Sequence, residues 1–127
     1  MIKTILDASA VLALLKNERG ADVIEEAIDG AAISAVNLVE VADKLLSGGM
    51  TDAALQETLD SLNIEVVAFD ETQARFAGRI RERARKFGLS LADCACISLA
   101  QALGCAALTM DRTWSKVDFG VEIRVVR

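Results

Sequence analysis

Apolar residues along the chain fall into short continuous runs and longer stretches with a helical repeat, and the changes between the two coincide with glycine, serine, threonine or aspartate. Residues 2–6 read as a short buried strand, and the run ASAVLALLK at 8–16 as a helix, with Asp7 at the junction. A second helix is predicted across 20–28, a strand across 31–34, and a third helix across 36–46 that Gly48-Gly49 ends. Residues 51–62 open on Thr-Asp and keep helical spacing, then IEVVAF at 64–69 reads as a strand. A long helix follows at 71–87 and stops at Gly88; another starts at Ser90 and stops at Gly104, and strands are predicted at 105–109 and 121–126. Strands alternating with helices predict an α/β fold, with a mainly parallel sheet and helices on both faces.

Composition narrows the class. The 127 residues suit one domain, expected over 1–127, and 53% hydrophobic against 26% charged residues place the chain among globular proteins. No apolar run reaches the roughly 18 to 20 residues that span a bilayer, and no signal-peptide pattern opens the chain, so a cytoplasmic address without membrane association is expected. Cys94, Cys96 and Cys105 sit in apolar surroundings and read as reduced thiols. A net charge of −5 argues against coating nucleic acid by bulk electrostatics. With no histidine, any hydrolysis must run on carboxylates, a metal, or both.

Within SLADCACISLA, residues 90–100, Asp93 is the one ionised group in the pattern of a buried helix. An acid there must cap the helix or meet a cation. Three more acids occupy comparable places. Asp7 follows the first strand, Asp111 follows CAALT, and Glu40 lies early in its helix. In an open parallel sheet, ligands bind beyond the carboxyl ends of the strands, where helix starts also point, so the four acids can converge. Crowded carboxylates repel unless a cation offsets them, and an all-oxygen set suits magnesium or manganese over zinc or copper. Each acid also has a local reading. Ser90 to Asp93 and Asn37 to Glu40 match capping-box spacing, Asp7 can cap the following helix, and Asp111 can be a turn residue.

The stretches ILDASAVLALL, SAVNLVEV, LSLADCACISLA and LTMDRTW, in this order through nearly the whole chain, resemble the PIN-domain ribonucleases, and in particular the VapC-like toxins of toxin-antitoxin modules. The resemblance implies a PIN-like three-layer α/β/α fold. It implies Asp7, Glu40, Asp93 and Asp111 as catalytic and metal-binding acids for Mg2+ or Mn2+, with Ser9 and Thr109 as nearby polar support. It further implies cleavage of single-stranded RNA by a metal-activated water, leaving a 5′-phosphate and a 3′-hydroxyl. A homodimer and a cognate antitoxin, one of whose segments fills an apolar groove and blocks the acids, are implied as well. Met110 stands where relatives often carry a small residue. Asp43 and Asp118 are further acids, read as solvated surface.

The helix at 71–87 concentrates six of the 14 basic residues, and Arg75, Arg79, Arg83 and Lys86 share one face. They are candidates for RNA phosphate contact; the competing reading is a solvated face near Glu82. Phe76, Ile80 and Phe87 are expected to form that helix's apolar stripe, and Trp114 to pack rather than to stack bases. Two other functions compete. A receiver-like domain would use Asp70 as phosphoacceptor but leaves Glu40 and Asp93 unexplained, and a PIN-like binding module would need no catalysis.

Overall fold

The computed structural model describes residues 1–126. In chain order the elements are β1 (Thr4–Leu6), α1 (Ala8–Leu15), α2 (Ala21–Ala27), β2 (Ala31–Ser34), α3 (Ala35–Ser47), α4 (Asp52–Leu62) and β3 (Glu65–Val67). After these come α5 (Glu71–Lys86), α6 (Leu91–Leu103), β4 (Ala106–Thr109), a 3-10 helix (Arg112–Lys116) and β5 (Ile123–Val125). The strands form one sheet in the order β3-β2-β1-β4-β5, and all four pairings are parallel.

Alternation along the strands builds the three layers. Ile5, Ala32 and Ala107 point to one face, where Ala77, Ile80 and Ala84 of α5 and Cys94, Ile97 and Leu99 of α6 cover them. Leu6, Ile33 and Leu108 point to the other, against Val11 of α1, Ile24 of α2 and Val41 of α3. Because β1 is central, the strands after it run out to one side and β4 returns on the other. The crevice of an open parallel sheet lies at such a switch. Asp7 N donates to Leu108 O across it at 3.1 Å.

Helix ends follow side-chain chemistry. Ser34, Thr51, Asp70 and Ser90 each accept a hydrogen bond from a backbone N–H of the helix they start, and Gly104 closes α6 at φ +66°.

Several expectations shift. The edge strand β3 is shorter than IEVVAF, with Val66 exposed. Asn37 does not cap α3, since Ser34 does, with Val36 N donating to Ser34 Oγ at 3.2 Å. Phe87 lies past the end of α5 and is 43% exposed; the buried stripe is Gln73, Ala77, Ile80 and Ala84. The five-residue 3-10 helix escaped the periodicity because it is too short to show one. Trp114 within it is fully buried, as its packing role requires.

Candidate metal centre

Asp7 ends β1 and starts α1, and both of its oxygens are held. Ser9 Oγ donates to Oδ1 at 2.7 Å, Ala10 N to Oδ1 at 2.9 Å, and Thr109 Oγ1 to Oδ2 at 2.7 Å. Ser9 and Thr109 thus both hold the Asp7 carboxylate. They serve the far strand as well: Met110 N donates to Ser9 Oγ at 3.0 Å and Asp111 N to Thr109 Oγ1 at 3.0 Å. Met110 itself is buried in the core beside α1.

Asp93 stands in the first turn of α6. Ser90 N donates to its Oδ2 at 2.8 Å while Asp93 N donates to Ser90 Oγ at 3.1 Å, a reciprocal capping box. Asp111 starts the 3-10 helix, with Thr113 N donating to its Oδ1 at 2.9 Å. Glu40, on α3, accepts at Oε1 from Asn37 Nδ2 at 3.2 Å. The local reading thus holds for Asp7, Asp93 and Asp111 but not for Glu40, whose capping box with Asn37 does not form. Three of them cap helix starts, and all four line one cleft of about 250 Å3 together with Ser9 and Lys44. A larger cavity, about 700 Å3, lies between α2 and the end of β5 and contains none of the four.

The acids act on one another. Burial raises the Asp7 carboxyl to about 6, against its three hydrogen bonds, and the Asp93 charge adds to the rise. Burial also raises Asp93, opposed by the Ser90 N–H and increased by Asp111. Among the described residues the ion pairs are Arg75 with Glu71 and Arg124 with Glu122, so no cleft acid is neutralised by one. No set of three or more acids or thiols among the described residues stands ready at metal-holding distance. A hard ion that keeps several waters needs only one or two carboxylates and no such all-protein set. Burial pushes the Cys96 thiol well up, so it stays protonated and the donor set is oxygen alone.

The basic face of α5 contributes no residue to the cleft lining. Arg75 pairs with Glu71, Arg79 lies over Phe76 and Arg83 over Phe119, with Arg83 Nη1 also donating to Asp118 O at 3.3 Å; Lys86 is exposed in the last turn. The cation whose charge reaches Asp93 is Arg81, which donates to Leu89 O at 3.0 Å. Arg81, Lys44 and Asn37 are the residues that sequence reasoning missed. A lysine one turn after Glu40 was a usable signal for one of them; the other two depend on tertiary contacts. Asp70 caps α5, with Gln73 N donating to its Oδ1 at 2.9 Å, and stands outside the cleft lining. Asp43 and Asp118 are exposed, as expected.

A family model described as PIN domain matches residues 4–120. Ribonuclease VapC42 of Mycobacterium tuberculosis and VapC ribonuclease Mb2780c of Mycobacterium bovis are each 33% identical to the chain over 110 residues, covering 79% of it and 84% of their own length. VapBC2 from Rickettsia felis, solved with a DNA fragment from its promoter, superposes with a TM-score of 0.74 at 20% identity over 98% of both chains. DNA-bound VapBC from Salmonella typhimurium gives 0.70 at 20% identity over the full length of both. These two carry the fold, and the mycobacterial relatives carry the kinship in sequence. The three-layer parallel sheet is thus the fold of these neighbours, and the chain belongs to the PIN-domain family, among its VapC-like members.

Proposed function

We propose that the chain is a metal-dependent endoribonuclease toxin that hydrolyses phosphodiester bonds in single-stranded or loop RNA and is restrained by a cognate antitoxin. The observation that carries this reading is the convergence of Asp7, Glu40, Asp93 and Asp111 on one cleft at the switch point of the sheet. The ribonuclease names of the mycobacterial relatives support the activity, and the VapBC complexes among the structural neighbours support the antitoxin.

In this reading the four acids hold Mg2+ or Mn2+, which when bound supplies charge to polarise a phosphoryl oxygen and to lower the pKa of water. The chain's own residues do the rest. Ser9, Ala10 N and Thr109 lock the Asp7 carboxylate so that it meets cation and substrate without rearranging. The starts of α1 and α6 turn their positive ends toward the cleft, which favours phosphate as well as carboxylate. Lys44 lines the same cleft, and its cation suits a non-bridging phosphate oxygen. No helix among the described residues is long and apolar enough to cross a membrane.

The test is cleavage of a mixed pool of structured and single-stranded RNAs by the purified, antitoxin-free protein with magnesium, with manganese and with chelator, beside Asp93→Asn. Metal-dependent cuts lost in the variant are expected. A folded protein that binds the pool without cutting it in any condition would instead be a binding module.

A further inference from the structure

We propose that Asn37 is a positioning residue for Glu40: its amide ties the Glu40 carboxylate to the backbone at the start of α6 and so sets the spacing between Glu40 and Asp93. The inference rests on the metal-ion reading of the cleft.

Asn37 is fully buried, and its Nδ2 donates to Glu40 Oε1 at 3.2 Å and to Ala92 O at 3.0 Å. Both partners are acceptors only, so the amide has one workable orientation and both of its protons are used. Ala92 immediately precedes Asp93, 55 positions from Asn37 in the chain. One side chain therefore joins the acid carried by α3 to the helix turn that carries Asp93. No comparable anchor was needed for Asp7, whose carboxylate is short and held at both oxygens. Glu40 is half-exposed and longer, with more rotamer freedom to restrain.

The core does not call for an amide at this place. Asn37 Oδ1 is buried without a hydrogen-bond partner, a cost that an aliphatic side chain of similar volume would avoid. What the amide supplies, and an aliphatic group could not, is its pair of donors. Residues that orient metal ligands in this way typically change metal affinity or activity 10- to 100-fold, roughly, when replaced.

Calorimetric titration of the full chain with Mn2+ alone tests this in a double-mutant cycle of Asn37→Ala and Glu40→Ala. Asn37→Ala is expected to weaken Mn2+ binding on the order of 10- to 100-fold. In the Glu40→Ala background the same change should alter the midpoint less than about twofold, because the route through Glu40 is already gone. RNA cleavage should show the loss in kcat with KM nearly unchanged. Asn37→Thr, which fills more of the space and keeps a single donor, runs through the same cycle and decides the matter if the alanine variant does not fold. An Asn37 variant that loses stability but binds Mn2+ within about twofold of the parent overturns the proposal, leaving the residue a plain link between helices. A parent chain that neither binds Mn2+ nor cuts RNA overturns the metal-ion reading itself.

Discussion

Thr109 Oγ1 donates to Asp7 Oδ2 at 2.7 Å across 102 positions of sequence, joining the carboxyl ends of the two central strands through the acid. The same hydroxyl accepts from Asp111 N at 3.0 Å, so one side chain registers two candidate metal ligands against each other. Thr109→Val keeps the shape and removes both bonds. It should destabilise the fold by about 1–3 kcal/mol, the cost of a buried polar group left unpaired. Cleavage should fall with it, while Thr109→Ser restores most of both; urea unfolding and RNA cleavage on the three proteins check this.

Asp7 makes the metal-free protein sensitive to pH. Its folded value of about 6 lies above the ordinary 3.8, so the folded state holds the proton more tightly than the unfolded chain does. The stability this gives is complete below the unfolded value and is lost as pH rises through the folded one. At roughly 1.4 kcal/mol per unit, the loss between pH 4 and 7 is on the order of 3 kcal/mol. Asp7→Asn, which cannot ionise, should unfold at higher urea than the parent at pH 7 in chelator and lose that advantage near pH 4. Cleavage by the variant should be abolished.

Ser90 and Asp93 separate capping from chemistry. Ser90→Ala breaks one half of the capping box and should cost about 1 kcal/mol. The Asp93 carboxylate remains, so cleavage per folded molecule should persist. Asp93→Asn should do the reverse, leaving circular dichroism close to the parent and eliminating metal-dependent cuts. If both variants lost cleavage in proportion to lost helix, Asp93 would be a cap alone.

Metal binding should appear as stability. A cation held only by the folded state stabilises it by about 2.7 kcal/mol at a hundredfold excess over Kd. For a domain of this size that raises Tm by several degrees, roughly 2–8 °C per kcal/mol. Scanning calorimetry with Mn2+ should show the rise, chelator should abolish it, and Asp7→Asn should be insensitive to both.

Much of the layout was readable before the coordinates, because it depends on local rules. Glycine and serine punctuation marked the helix ends at Gly48, Gly88, Ser90 and Gly104, and the alternation of elements foretold the parallel sheet. The placement of Asp7 and Asp111 followed from where strands end in such a sheet. The misreadings concern contacts that no local rule contains. Asn37 matched a capping pattern, yet Ser34 three residues earlier had the better geometry, and the amide turned instead to Ala92 on another helix. Phe87 matched the apolar stripe of α5 by composition, but the helix ended one residue before it. Arg81 is one arginine among several in the sequence, and only the packing of α5 on α6 brings its charge to Asp93.

Two of the cleft acids, Asp7 and Asp111, are helix N-caps, and this shapes what the chain keeps if its chemistry is ever lost. Selection for a well-formed helix start accepts asparagine or serine in place of aspartate and rejects alanine or leucine. A descendant released from cutting RNA would drift at positions 7 and 111 toward neutral caps rather than toward arbitrary residues. It would keep the outline of the cleft and the positive helix ends with less negative charge between them. Such a molecule would be suited to holding a phosphate chain, so an inactivated copy of this fold is predisposed to become a binder of the polymer its ancestor cut.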